Sequence, residues 1–489
     1  MNSSKPTTRR HRLWKRLILG VLFVAACLAT LVAVFFTVER VRWRRAWTAY
    51  EKDATARGIP LRLEQYLQLP VPEAENFASV PLFANLFQEP APAESTKAFQ
   101  FPEDATRPRL GNLLKNEATD LAAWRNYFIK VKLLPANAPE DAPTAVLQAL
   151  EHYAAEWTQL KEAAGRPKAK FPVAWERRFM ALLPHLGVLQ AAAKQNQLRM
   201  DAHCAKADGQ SAMEDFRLAL RLARALEEEP VLINGLVRIA IVSGALEGLW
   251  SGLRADIWDD ATIHEIEAEL ARLNLLADAE FGIGSERGRL NDLLAGTEKA
   301  RNDISKLADA PGIPPYLKYF PEGWFYASQL RSNQYADQIL RGIDAERMLV
   351  DPPGAEPLEE GSGYLDRMRV SLSAQQRPIY KSVTDRFVYQ HCRLQLARLA
   401  CALNRYKHAN KSFPDGLEQL VPDFVPKLPH DPFTGSAFRY RKESETSYVI
   451  YSVGPDLRDD GGKPGPGKGS PHNQPDWIWP MKIAGRGDR

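Results

Sequence analysis

The sequence predicts a mainly α-helical protein: a single N-terminal transmembrane helix, an irregular α-helical domain beyond it, and a small C-terminal α+β module with antiparallel strands. Three observations lead there. Residues 17–38 form an uncharged apolar run, and the long middle of the chain spaces its apolar residues by three and four. After one more long helical stretch, the chain turns to prolines, glycines and short alternating runs. The 489 residues are ample for several domains, and 25% charged with 45% hydrophobic is ordinary for a globular chain. The net charge of +4 is small and much of the positive charge lies near the N-terminus, so no nucleic-acid-binding face is expected.

The first element is a basic tail, residues 1–16, holding "KPTTRRHRLWKR". The 22 residues "LILGVLFVAACLATLVAVFFTV" (17–38) follow without a charge. About 20 apolar residues cross the hydrocarbon as a helix, so this run is long enough to span. A cleaved signal peptide has a shorter apolar core and a small-residue cleavage site. "VAAC" (24–27) resembles a lipoprotein cleavage box, but the apolar run continues eleven residues past Cys27, which favours a plain anchor. Six Lys/Arg precede the span (Lys5, Arg9, Arg10, Arg12, Lys15, Arg16) and five follow it (Arg40, Arg42, Arg44, Arg45, Lys52). That asymmetry leans to a cytoplasmic N-terminus, with the bulk of the chain outside the cytoplasm.

Residues 39–375 are expected to form the helical domain. "VRWRRAWTAYEKDATARG" continues the helix out of the membrane, with Trp43, Trp47 and Tyr50 near the interface. A proline-punctuated segment around 69–95 reads as docked and irregular, and helical texture returns from about 110 to 165. Between Phe171 and Leu253 the pattern gives a helix stopped at Asp208-Gly209 and a second starting at Ser211. The second carries Phe216, Ala219, Leu220, Ala223 and Leu226 on one face, and Pro230 opens a third. This pair resembles a tetratricopeptide-like hairpin, but no second copy follows at a 34-residue period. Further helices are expected at 259–310 and 325–349, and an exposed linker at 351–363. A long helix from about 380 to 409 should be striped by Leu396, Leu399, Ala400, Leu403 and Tyr406.

Catalytic signatures are scarce. No phosphate-binding loop, no G-x-S-x-G elbow and no H-E-x-x-H is present; "HEIEA" at 264–268 lacks the second histidine. "GIGSERG" (282–288) has no strand before it, which argues against dinucleotide binding. Cys392 and Cys401, nine apart on one helix, lie about 13 Å apart along its axis and cannot bridge there. With Cys27 in the span and Cys204 elsewhere, neither a disulfide framework nor a Cys/His zinc spacing appears.

The informative constellation is residues 376–489. After the long helix, Phe413-Pro414 docks the chain back and "DGLEQLV" forms a short helix capped near Asp415. Pro422, Pro426, Pro429 and Pro432 force an extended path. "DPFTG" makes a turn in which Asp431 bonds nearby backbone. "AFRYR" and "SYVIYSV" then alternate as an antiparallel pair. This arrangement resembles the C-terminal half of the major pseudopilin of type II secretion systems. The match runs through Tyr406, Asn410, Phe413-Pro414, Leu420, Pro429, Asp431-Pro432, Gly435, Tyr440, Tyr448, Ser452, Gly454, Asp456 and Gly461-Gly462, over about residues 402–480.

The resemblance implies a pseudopilin-like fold for the module and a calcium ion (Ca2+) in the loop after the strand. Asp456, Asp459, Asp460 and Asp476 are the candidate ligands, since calcium takes six to eight oxygens and clustered carboxylates supply them. The inserted "KPGPGKGSPH" lengthens that loop. The chain departs from pilin-type subunits elsewhere: no glutamate interrupts the apolar run, and roughly 340 residues separate span from module. Processing and polymerisation are therefore not expected. The expected role is non-catalytic: a structural or adaptor protein of the bacterial inner membrane, single-pass, meeting envelope proteins, with the components of a secretion or pilus-like apparatus among the expected partners. The alternatives are a tetratricopeptide-like peptide-binding module and an envelope hydrolase with a dispersed site.

Overall fold

The structure is a computed structural model and describes residues 7–295, 320–351, 363–370, 373, 376–463 and 474–482. The expected linker, apart from its two end residues, and most of the insertion in the C-terminal loop lie outside those residues. The described residues are mainly helical, with a long apolar helix at the N-terminus and a small antiparallel sheet near the C-terminus. They divide between two compact units. One comprises Met1–Arg62, Arg287–Tyr335 and Pro357–Arg377; the other comprises Leu63–Glu286, Ala336–Glu356 and Pro378–Arg489.

The first unit begins with one unbroken helix, Thr7–Ala56. At 1.5 Å per residue its 50 residues reach about 75 Å. Its apolar window has a mean hydropathy of 2.9 and is wholly unburied. Polar side chains inside the run turn inward: Thr30 and Thr37 donate their hydroxyls to the carbonyls of Ala26 (2.9 Å) and Ala33 (2.7 Å). That satisfies them without water. Beyond the run, Glu39, Trp43, Trp47, Tyr50 and Ala54, spaced three or four apart, share one face, and it is this face that is packed. Trp47, Ala54 and Leu61 form a small core with Tyr326 and Leu330. Gly323 sits against the helix at Arg40, where a Cβ would stand 2.8 Å from a backbone nitrogen, so the close approach requires glycine. Gly58, at positive φ, closes the helix, with Ile59 N–H returning to Ala54 C=O.

The second unit is built on three mutually packed helices, Pro184–Ala205, Gly209–Arg224 and Leu232–Ala255. The Asp208-Gly209 stop lies where the sequence places it, but the next helix starts at Gly209, because Asp208 itself is the cap and accepts from Ser211 N–H at 3.1 Å. Helix Leu232–Ala255 is apolar enough to pass for a span, yet 61% of its window is buried, which makes it a core helix. A further difference lies after Arg341. The helix expected through 349 ends there, and β1 (Ile343–Asp344) pairs with β2 (Leu349–Val350) as a short antiparallel ladder. Gly342 breaks the helix, Asp344 turns the chain by accepting from Arg347 N–H, and β-branched Ile343 and Val350 suit a strand.

The long helix is observed as Gln376–Asn410 and is buried almost all round between Phe387 and Leu403. The sheet beside it has three strands, β3 (Arg439–Ser444), β4 (Ser447–Ser452) and β5 (Trp477–Lys482), in the order β3-β4-β5. The expected hairpin is β3–β4, with Tyr440 opposite Ile450. The third strand, β5, pairs with β4 so that Ile450 faces Trp479. Both faces of β4 are covered. Tyr448 is buried beside Phe413, 4.7 Å between ring centroids. Val449 and Tyr451 pack with Ile478 and Leu114. Trp250 donates its indole N–H to Pro480 C=O at 3.0 Å, so the sheet is embedded in the helical unit.

Candidate functional site

The residues that carry the resemblance hold one another. Asp431, buried, accepts from Phe433 N–H at 3.0 Å and Val453 N–H at 3.2 Å, tying the Asp-Pro turn to the end of β4. Burial raises its carboxyl above the usual range, against those two hydrogen bonds. Tyr440 donates to Pro414 C=O at 2.7 Å and Tyr406 donates to Gln419 at 3.1 Å. Gly454 has φ +68°, and a Cβ there would collide with the carbonyl oxygen of Pro475. Only glycine fits where the loop passes its own returning strand.

The four aspartates lie around this loop with different surroundings. Asp456 is exposed and accepts from Arg458 N–H at 3.1 Å, closing its own turn. Asp459 accepts from Tyr451 O–H at 3.0 Å and Gly461 N–H at 2.9 Å, and its second oxygen is 3.4 Å from Arg439. Asp460 is exposed. Asp476 is 2% exposed; its Oδ2 accepts from Gly462 N–H at 2.8 Å, while Oδ1 is buried without a hydrogen-bond partner. The side-chain oxygen of Gln474 is likewise buried and unpartnered. Burial, followed by the negative charges of Asp460 and Asp459, raises the Asp476 carboxyl. Tyr451 is pushed up to about 12, by burial first and then by Asp459.

These are hard oxygen donors of the kind calcium takes, and two of them have no other use. Against that, no three His, Cys, Asp or Glu side chains converge as metal ligands among the described residues. Asp476 and Gln474 fit a cation; Asp456 and Asp459 spend oxygens on turns and on Arg439. Asp476 is among the ligands the resemblance implies, whereas Gln474 and Tyr451 are not. Their signal is positional: Gln474 stands two residues before Asp476, and Tyr451 sits on the strand facing the loop.

The glycine-rich stretch and the other titratable side chains have structural surroundings. The Gly282–Gly288 stretch is helical, inside Leu275–Leu294. His264 is an exposed neighbour of Arg405 at 3.3 Å. His185 is fully buried, stacks on Phe171 and meets Glu229 at 3.0 Å. His391 is driven down to about 3, chiefly by burial, so it is neutral. His408 meets Asp256 at 2.7 Å. Asp215 is buried beside Arg199 (3.0 Å) and His203 (3.7 Å), and burial lifts it to about 7. An open cleft of about 400 Å³ runs along Gly209–Arg224, lined by Lys161, Arg217, Arg221, Arg224, Glu214 and Glu269 among others. Arg217 and Arg224 are already paired there with Glu265 and Glu269.

The chain matches no protein-family model, no curated protein and no solved structure.

Proposed function

We propose that this chain is a non-catalytic, single-pass protein of the bacterial inner membrane. Its bulk lies outside the cytoplasm, and it acts as a structural or adaptor component beside a type II secretion or pilus-like apparatus. The observation that supports the reading is the C-terminal module. Phe413, Asp431, Tyr440, Tyr448 and Gly454, which carry the resemblance to the major pseudopilin, pack and hydrogen-bond as one long-helix-and-sheet arrangement. The apolar helix, long enough to span, supports the anchor. An absence of glutamate in the span and the long intervening domain argue for an accessory rather than a polymerising subunit.

The test is mild crosslinking in native membranes followed by mass spectrometry of what copurifies. Secretin, pseudopilin or platform proteins are the expected partners; other envelope proteins in their place would overturn the link to the apparatus. Calcium belongs to the same proposal. Asp476, with Gln474 beside it, would hold the ion, and Asp459, Asp460 and Asp456 would supply charge nearby. Bound calcium would clamp the loop to the start of β5. The full-length protein in detergent is expected to melt several degrees higher at millimolar calcium than with chelator, and an unchanged melting temperature would remove the ion.

A further inference from the structure

We propose that Arg42, Arg44 and Arg45 form a collar that binds the phosphate headgroups of anionic phospholipid in the leaflet next to Val38. The inference rests on the reading of residues 17–38 as a membrane span and adds to it a lipid preference and the residues that confer it.

Three observations carry it. The first is depth. Continuing the helix from Val38 at 1.5 Å per residue puts Arg42 about 6 Å and Arg45 about 10 Å beyond the hydrocarbon, within the headgroup layer once their long side chains are counted. Lys52, about 21 Å out, is past it. The second is orientation. Glu39, Trp43, Trp47, Tyr50 and Ala54 define the packed face of the helix; Arg45 falls on the opposite side, and Arg42 and Arg44 flank it, each about 100° from the packed face. All three arginines are exposed.

The third is electrostatic. Every carboxylate of this helix is already committed: Glu39 to Arg369 at 2.5 Å, Glu51 to Arg62 at 3.4 Å, and Asp53 to Arg57 at 3.0 Å. Arg40 is likewise taken, by Glu322 at 3.6 Å. Among the described residues, no carboxylate pairs with Arg42, Arg44 or Arg45; the contact they do have is Arg42 over the Trp43 ring, at 5.0 Å. Three unneutralised guanidiniums at headgroup depth match the charge and bidentate geometry of phosphodiesters.

The experiment reconstitutes the full-length protein in phosphatidylcholine vesicles and measures, by electron paramagnetic resonance, how strongly spin-labelled phosphatidylglycerol is held relative to spin-labelled phosphatidylcholine. The wild type is expected to prefer phosphatidylglycerol several-fold, and half-molar salt to reduce that preference. R42Q/R44Q/R45Q should cut the preference at least two-fold, leaving what the basic N-terminal tail contributes at the other leaflet. Lys52→Gln should leave it unchanged. A triple variant with wild-type selectivity, or an equal loss from Lys52→Gln alone, would overturn the collar while leaving the span intact. Release of the protein from the vesicles by alkaline carbonate would overturn span and collar together.

Discussion

Asp201 shows how a single residue can set the response of this protein to pH. It sits inside the helical unit, accepts from the hydroxyls of Thr119 (2.5 Å) and Ser251 (2.8 Å), and has no cationic partner among those contacts. Burial lifts its carboxyl from an ordinary 3.8 to about 6, with Glu247 adding to the rise. The folded state therefore holds a proton that the unfolded state releases near pH 4. The stability gained from that proton is complete below the unfolded pKa and is lost as pH rises through the folded one. A shift of about two units corresponds to about 3 kcal/mol. Urea unfolding of the detergent-solubilised protein should show stability falling between pH 4 and 6. Asp215, lifted to about 7, should extend the fall towards neutrality. Asp201→Asn, uncharged throughout, should lose about 2 kcal/mol less across pH 4 to 6. Equal slopes for both proteins would mean that Asp201 ionises normally. At Gly454, by contrast, backbone sterics decide. Gly454→Ala combines a positive φ with a near-collision at Pro475, so a loss of about 2 kcal/mol or more is expected in the same assay.

At the scale of elements, ion pairs join the long helix Gln376–Asn410 to its neighbours. Arg393 reaches Glu247 at 2.7 Å, Arg398 reaches Glu267 at 2.8 Å and Arg405 reaches Asp260 at 2.9 Å. The first pair is the most enclosed, and Glu247 also accepts from Leu113 N–H. Breaking an enclosed pair leaves one charge desolvated, so Arg393→Met should cost about 3 kcal/mol. Adding Glu247→Gln should recover most of that loss, since an amide can still accept from Leu113. A double variant no more stable than the single would show that the arginine acts by packing alone. These elements also mark what could be read from the sequence. The apolar run, the long helix, the Asp208-Gly209 stop and the β3–β4 hairpin announce themselves through local period and turn chemistry. Strand β5 does not. Trp477, Ile478 and Trp479 are too short a run to call, and their pairing with β4 crosses an insertion in the loop. The buried oxygens of Asp476 and Gln474 were equally out of reach, because burial there depends on that pairing.

For the molecule as a whole, the question is whether the C-terminal module can stand alone, as a head domain joined directly to its membrane helix would have to. Its sheet is closed on one side by its own long helix. The other side rests on Leu114 and on Trp250, which come from the helical domain. The long helix is buried nearly all round, and its partners Glu247, Glu267 and Asp260 lie in that domain as well. A helix apolar on every side is a core element and needs neighbours throughout. Residues 378–489 expressed alone would expose that helix and one face of the sheet, with three arginines stripped of their carboxylates. The fragment should therefore keep helical far-ultraviolet dichroism yet melt without a cooperative transition and bind a hydrophobic dye. Residues 63–489, which retain Leu114 and Trp250, should show a cooperative transition. A sharp, dye-free transition from the short fragment would show that the module carries its own core, and that its burial among the helices contributes little to its stability.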